Sequence, residues 1–188
     1  MTLLKEAFNY GWIFVFAFLI INITLIIIFP KHYAKRLFTI PPFNSKLSMV
    51  TSVIYAVLFN GTFIFICFLP IRHGINLLVG LSIYIISLFG MIAALMSYAN
   101  VRDNIPVTKG IYKYCRHPQQ VISCIMILGI GISLFNPIVI ISGIIQLPLL
   151  FPSMVAQEQY CVEKYGDLYL EYQKKHHVIF CFYSEVVL

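Results

Sequence analysis

Two polar segments carry the side chains whose types and spacing are suited to chemistry. The first reads Lys-Gly-Ile-Tyr-Lys-Tyr-Cys-Arg-His-Pro at residues 109–118. Its Arg116 presents a planar fork of N–H donors that matches a carboxylate or a phosphate, and His117 can donate, accept or shuttle a proton. Pro118 suits the first turn of a helix, where its missing N–H costs nothing. We therefore expect His117 beside a helix N-terminus, whose free N–H groups favour anions.

The second segment, residues 157–172, reads Gln-Glu-Gln-Tyr-Cys-Val-Glu-Lys-Tyr-Gly-Asp-Leu-Tyr-Leu-Glu-Tyr. Its Glu158 can pair with Arg116, or it can hold a hydroxyl or an amine. Tyr112 and Tyr114 of the first segment can offer ring faces to an organic cation. Ordinary membrane-protein roles compete with these functions. Basic residues at the ends of spans reach toward headgroups, tyrosines form an aromatic belt, and a glutamate on an interfacial helix is usually solvated.

The elements that would position these segments are apolar helices. The 188 residues are 60% hydrophobic and 11% charged, whereas a soluble domain carries about 25% charged residues. So few charges cannot cover a water-facing surface, and the apolar runs approach the roughly 20 residues that a membrane span needs. The sequence therefore predicts an all-α integral membrane protein, with residues 1–188 forming a single membrane domain.

About five transmembrane helices are predicted, from apolar runs at residues 12–29, 47–69, 77–98, 121–135 and 138–151. Asn136 and Pro137 mark a turn, so the last two runs predict a C-terminal helical hairpin. One long kinked helix is the alternative. The second arm is expected to continue past Pro152 as a cytoplasmic C-terminal helix that reaches about Tyr165.

The predicted hairpin would unite the two polar segments, because its two open ends lie together in space. Arg116 or His117 should then contact the helix that carries Glu158. Residues 100–188 would form the catalytic part, with the motif loop, the hairpin and the C-terminal helix, after three N-terminal spans in residues 1–99.

Positive charge supports five spans. Of the 13 Lys and Arg residues, four lie in residues 31–46, four in residues 102–116 and three in residues 164–175, all on one side. Lys5 and Arg72 lie on the other side. Because positive charge stays cytoplasmic, the C-terminus and both polar segments are expected inside. The net charge of +6 then reflects topology and anionic headgroups, and it gives no case for nucleic acid binding.

Cysteine usage predicts free thiols and no metal site. The five cysteines are odd in number and lack a zinc-type spacing. Cys115 lies beside Arg116, so an activated thiol is an alternative candidate for chemistry.

Together, the two segments resemble the integral membrane methyltransferase superfamily, which includes isoprenylcysteine carboxyl methyltransferases and phospholipid N-methyltransferases. The family pattern has Gly-x-Tyr before an Arg-His-Pro turn, then an apolar hairpin, then an acidic pair followed by Tyr-Gly-x-x-Tyr. The match covers about the C-terminal 90 residues. It departs at three positions, where Gln120 replaces a tyrosine, Gln157 replaces the first acidic residue and Tyr160 replaces a leucine.

The resemblance implies S-adenosylmethionine as the methyl donor, bound in a cytoplasmic pocket between the hairpin and the C-terminal helix. Gly110, Tyr112, His117 and Pro118 would be the cofactor-binding residues. Arg116 and Glu158 would be the catalytic residues. Arg116 would hold the cofactor's carboxylate or orient an anionic group of the acceptor, and Glu158 or His117 would take the proton from an amine acceptor.

The acceptor implied by the resemblance is a lipid or lipidated molecule that enters from the bilayer, such as an isoprenylcysteine carboxylate or a phospholipid amine. The expected location is the cell membrane in a prokaryote or the endoplasmic reticulum in a eukaryote. Two alternatives remain open. One is a membrane reductase of the sterol type that uses NADPH. The other is a non-catalytic membrane binding protein, which Gln120 and Gln157 favour.

Overall fold

The computed structural model describes residues 9–29, 45–102 and 104–176. Within these ranges the protein forms six α-helices and one short 3-10 helix, and no β-strand. The elements are α1 (Trp12–Ile28), α2 (Lys46–Cys67), α3 (Ile75–Ala99), the 3-10 helix (Gly110–Lys113), α4 (Pro118–Ser133), α5 (Pro137–Tyr165) and α6 (Asp167–Lys175). The predicted all-α fold is confirmed.

Three of these helices, α2, α3 and α5, are long and apolar enough to cross a membrane. Helices α1 and α4 are also apolar but have 17 and 16 residues, near the lower limit of about 17 residues for a span. The five-span arrangement therefore stays a prediction. Lys5 and most of the basic loop expected at residues 31–46 lie outside the described residues.

Helices α4 and α5 form the predicted hairpin, so the alternative of one kinked helix is wrong. The chain turns at Phe135, whose φ is 49°. Asn136 then caps α5, because its Oδ1 accepts hydrogen bonds from the N–H groups of Ile138 and Val139 at 3.0 and 3.2 Å. Such a cap stabilises a helix start by about 1 kcal/mol. The two arms are tightly packed, since a Cβ on Gly131 would lie 2.8 Å from the backbone N of Ile140.

Close contact between α3 and α4 holds the hairpin against the N-terminal helices. A Cβ on Gly80 would lie 2.2 Å from the backbone N of Ser133, and one on Gly129 would lie 2.9 Å from the backbone N of Tyr84. Small residues let membrane helices approach this closely and gain dispersion contacts. Nearer the open end of the hairpin, a Cβ on Gly90 would lie 3.2 Å from Ile122 Cδ1, so α3 also lies against the first part of α4.

Hydrogen bonds between side chains and neighbouring helices tie α1 and α2 to the same bundle. The Tyr84 hydroxyl on α3 donates to the Phe14 carbonyl on α1 at 2.6 Å. The hydroxyls of Thr62 on α2 and Ser142 on α5 lie 2.6 Å apart. The apolar core between the helices includes Phe14, Phe63, Ile66, Met126, Ile127, Ile130 and Val139.

Candidate functional site

A buried polar network joins α4, α5 and α6 at the open end of the hairpin. Glu158 Oε1 lies 3.1 Å from both Arg116 Nε and His117 Nε2. Its other oxygen, Oε2, accepts a hydrogen bond from Gln173 Nε2 at 3.2 Å. Glu158 is 2% exposed, and Arg116 and His117 are each 7% exposed. Charges this deeply buried are tolerated when they are paired and hydrogen-bonded.

The start of α4 positions the two basic residues. Pro118 is the first residue of the helix and His117 is its N-cap, as predicted. The His117 side chain makes no capping hydrogen bond to its own helix, and its ring instead faces Glu158. The first N–H groups of α4 lack carbonyl partners within the helix. Buried cationic and N–H donors therefore lie together at this helix end.

The 3-10 helix and Gly110 hold the segment that leads into α4. Gly110 has a φ of 64°, and a Cβ there would lie 2.1 Å from Ser97 Oγ on α3. Only glycine adopts this backbone conformation readily and also leaves room for α3. The structure thus gives Gly110 a packing role, and its predicted role in cofactor binding stays a proposal.

Helix α6 folds back over the site because Gly166 reverses the chain between α5 and α6, with a φ of 56°. The Tyr172 hydroxyl then donates to the Tyr112 carbonyl at 2.7 Å. On the other side of Tyr112, its hydroxyl accepts a hydrogen bond from Gln119 Nε2 at 3.1 Å. Tyr112 is therefore a link between α4 and α6 at the edge of the network.

Burial raises the pKa values of the Tyr169 and Tyr172 hydroxyls well above their ordinary range, although the nearby Arg116 opposes this. Both hydroxyls therefore stay protonated and Tyr172 acts as a donor. Burial also raises the pKa of the Cys115 thiol, against the lowering effects of the His117 backbone and Arg116. A reactive cysteine needs a lowered pKa, so the environment of Cys115 is that of a packed thiol.

Arg116 contacts Glu158 through Nε without donating a hydrogen bond to it. Its Nε is buried and forms no hydrogen bond, because the approach to Glu158 Oε1 is close without hydrogen-bond geometry. A buried polar group that lacks a hydrogen bond costs about 1–3 kcal/mol. This donor, together with the free N–H groups of α4, fits a carboxylate or phosphate that would complete the set.

The structure brings together most of the residues singled out from the sequence. Arg116, His117 and Glu158 are in contact, Pro118 begins α4, and Tyr112 lies one hydrogen bond away from α6. Tyr114 does not join them, because its side chain is 66% exposed. It is suited to the aromatic belt.

Two features of the site were missed by the sequence reasoning. Gln173 contacts Glu158, and the Gln120 amide donates from Nε2 to Gln157 Oε1 at 3.1 Å. The contact of Gln173 could have been predicted from helical spacing, since Gln173 lies four residues after Tyr169 and shares its face of α6. The second joins two of the departures from the family pattern, Gln120 and Gln157, which lie 37 residues apart.

The fold and the site define a helical membrane protein with a buried, donor-rich cluster between two helix ends. The family model for phospholipid methyltransferases matches residues 71–167, which is just over half of the chain. The protein belongs to this family of membrane methyltransferases. A comparison with individual curated proteins gives no significant match. The matched region contains α3, α4 and α5, while Tyr172 and Gln173 of α6 lie beyond it.

Proposed function

We propose that this protein transfers a methyl group from S-adenosylmethionine to a lipid-like acceptor that enters from the membrane. One observation carries the proposal. Arg116 and His117 are buried at the N-terminus of α4, where Arg116 Nε is ion-paired with Glu158 but forms no hydrogen bond. Membership of a methyltransferase family gives these donors a ligand of matching charge, namely the carboxylate of the cofactor's amino acid end.

The donor set fits that carboxylate. Arg116 offers a fork of N–H groups, and the first turn of α4 adds backbone donors and a favourable helix dipole. His117 and Pro118 would form the wall beside it, and Gly110 and Tyr112 would shape the floor. The bound cofactor supplies an activated methyl group on a sulfonium sulfur. The protein's main contribution is then to position that group and the acceptor, which can lower a barrier by about 7–11 kcal/mol.

Glu158 is proposed to position Arg116 and His117. Both of its oxygens are engaged by the three side chains of the network. From the sequence alone we expected Glu158 to act directly on the acceptor. Its burial and its three partners favour an indirect role, in which its charge compensates Arg116 and orients the His117 ring.

The proposed site opens toward the cytoplasm, and the acceptor reaches it from the inner leaflet. Lys109 and Lys113 lie near the start of α4, Lys164 lies at the end of α5, and Lys174 lies in α6. Arg72 lies at the opposite end, in the link between α2 and α3. This distribution supports a cytoplasmic site by the positive-inside rule.

Ligand-induced thermal stabilisation tests the proposed function. A ligand at a hundredfold excess over its dissociation constant stabilises the native state by about 2.7 kcal/mol. We expect S-adenosylmethionine to raise the unfolding temperature of the detergent-purified protein, and NADPH to leave it unchanged. Stabilisation by NADPH alone would favour a reductase, and no response to either would favour a binding protein without catalysis.

A further inference from the structure

Two of the positions at which this chain departs from the family pattern contact each other. Gln120 lies on α4 and Gln157 on α5, and their side chains share the hydrogen bond at 3.1 Å. Both are half-buried, whereas the neighbouring His117 and Glu158 are buried. The pair therefore lies at the border of the charged network, where a molecule approaching the network can contact it.

An apolar cluster lies one helical turn further into the bundle on both helices. Its buried members are Cys124, Leu150 and Met154, with Tyr55 and Leu147 packed against them. Gln120 lies between Cys124 and His117 along α4, and Gln157 lies between Met154 and Glu158 along α5. An acceptor with an apolar body and a polar head would therefore meet the amide pair between the apolar cluster and the network.

The amide pair brings hydrogen-bonding groups to this border without charge. Their shared hydrogen bond runs from Gln120 Nε2 to Gln157 Oε1. The Gln157 amide nitrogen and the Gln120 carbonyl oxygen take no part in that bond. A glutamate at position 157 would have added a second carboxylate beside Glu158. Glu158 itself is compensated by Arg116 and held by Gln173, while Glu163, Asp167 and Glu171 are exposed.

We propose that the Gln120–Gln157 pair determines acceptor specificity by favouring a head whose reacting atom is an anionic oxygen over a protonated amine. This inference rests on the proposed methyl transfer. An alkylamine has a pKa near 10.4, so it arrives as a cation that needs a counter-charge and a base. Behind the amide pair, the Glu158 carboxylate and the His117 ring are engaged with each other. The site therefore offers an amine neither a free counter-charge nor a free base.

An oxyanion suits the same groups. The Gln157 amide can donate to it, and neither member of the uncharged pair repels it. During transfer a lone pair of the acceptor oxygen forms the new bond to the methyl carbon, and the carbon–sulfur bond breaks with its electron pair going to sulfur. The negative and positive charges cancel, and no proton has to leave.

Three acceptor probes separate the possibilities: oleoylglycine as a carboxylate, oleyl phosphate as a phosphate and dioleoylphosphatidylethanolamine as an amine. Each is added to the full-length protein in detergent, first without the methyl donor to measure binding by thermal stabilisation. Transfer of a labelled methyl group is then measured with the donor. We expect one or both oxyanions to bind and react better than the amine by about tenfold or more, since a charged hydrogen bond contributes 1.5–3 kcal/mol.

The Gln157→Glu variant should reverse this preference, because the new carboxylate repels an oxyanion and attracts an ammonium group. Gln159→Glu is the matched control, since Gln159 is two residues along α5 and about 200° around the helix from Gln157. It should keep the preference of the original protein. Gln157→Leu removes the amide without adding charge, and it should weaken oxyanion binding while S-adenosylmethionine still stabilises the protein.

The proposal is overturned if the unmodified protein binds the amine probe as well as the oxyanions, or if Gln157→Glu and Gln159→Glu have the same preference. Should Gln157→Glu not fold, unaltered oxyanion binding by Gln157→Leu overturns it. Binding measured without the donor separates this inference from the proposed function. Failure of S-adenosylmethionine to stabilise the protein would contradict methyl transfer, while the probe preferences would still test the amide pair.

Discussion

The His117 ring and the Glu158 carboxylate meet at 3.1 Å although they lie 41 residues apart in the chain. The contact exists because α4 begins and α5 ends at the same end of the hairpin. Glu158 Oε1 also lies 3.1 Å from Arg116 Nε, so one carboxylate oxygen organises both basic residues. The arrangement makes stability and ligand binding at this end of the protein depend on the same three side chains.

Replacing Glu158 by glutamine should lower the stability of the protein. The substitution keeps the size of the side chain but leaves the buried Arg116 without its counter-charge, and breaking a buried pair in this way costs about 3–5 kcal/mol. Thermal unfolding in detergent measures the loss. Glu163→Gln is the control, because Glu163 is exposed on the same helix. Equal unfolding temperatures for the two variants would contradict a buried, charge-compensating Glu158.

A pair of cysteines at positions 120 and 157, in a background without native cysteines, should cross-link with a short thiol reagent. The native side chains are in hydrogen-bonding contact, so the replacements fall within reach of the reagent. A pair at positions 120 and 163 is the control, since residue 163 is exposed and nearly two helical turns further along α5. The chain is cut between the two positions, and a cross-link is detected on a gel because it keeps the two fragments joined. Equal yields for both pairs would contradict the hairpin geometry.

Enlarging Gly129 to valine should destabilise the bundle, because α3 lies against that face of α4. Overpacking a core costs about 1–3 kcal/mol and sometimes more. Gly61→Val is a matched control, since a Cβ on Gly61 of α2 meets nothing within 4 Å. We expect a lower unfolding temperature for Gly129→Val than for Gly61→Val. A lower unfolding temperature for Gly61→Val than for Gly129→Val would contradict the close contact of α3 with α4 at Gly129.

Topology can be tested with an impermeant thiol reagent on intact cells. Cys115 is a poor reporter because it is fully buried, so the exposed Lys113 and Arg72 are replaced by cysteine one at a time in a background without native cysteines. A cytoplasmic site predicts labelling of position 72 in intact cells and of position 113 after permeabilisation alone. Rapid labelling of position 113 from outside would reverse the proposed orientation.

Much of the fold could be predicted from the sequence because helix ends carry local signals. Asn136 and Pro137 indicated the turn of the hairpin, and Pro118 indicated the start of α4, which the structure confirms. The end of the second arm near Tyr165 was also predicted, and Gly166 follows it with a positive φ. These features depend on residues within a few positions of one another.

The environment of Glu158 could not be predicted in the same way. A glutamate beyond the last apolar run is usually solvated, yet Glu158 is 2% exposed. Its burial depends on the direction in which α6 leaves Gly166 and on the face that brings Gln173 to the carboxylate. The direction of a helix and the face that it turns to a neighbour depend on tertiary packing. The local sequence therefore indicated that Glu158 can pair with Arg116, but it did not indicate that Glu158 is buried or that Gln173 contacts it.

The measurement that tests the account most directly is the affinity of the purified protein for S-adenosylmethionine without acceptor, compared with that of Arg116→Ala. Losing a charged hydrogen bond at a buried site costs about 1.5–3 kcal/mol, which corresponds to a tenfold to hundredfold weaker affinity. Arg102→Ala, an exposed position between α3 and the 3-10 helix, should bind as the unmodified protein does. We predict that the unmodified protein binds S-adenosylmethionine measurably, that Arg116→Ala weakens this binding and that Arg102→Ala leaves it unchanged. Binding of equal strength in all three proteins would contradict the claim that the start of α4 holds the methyl donor.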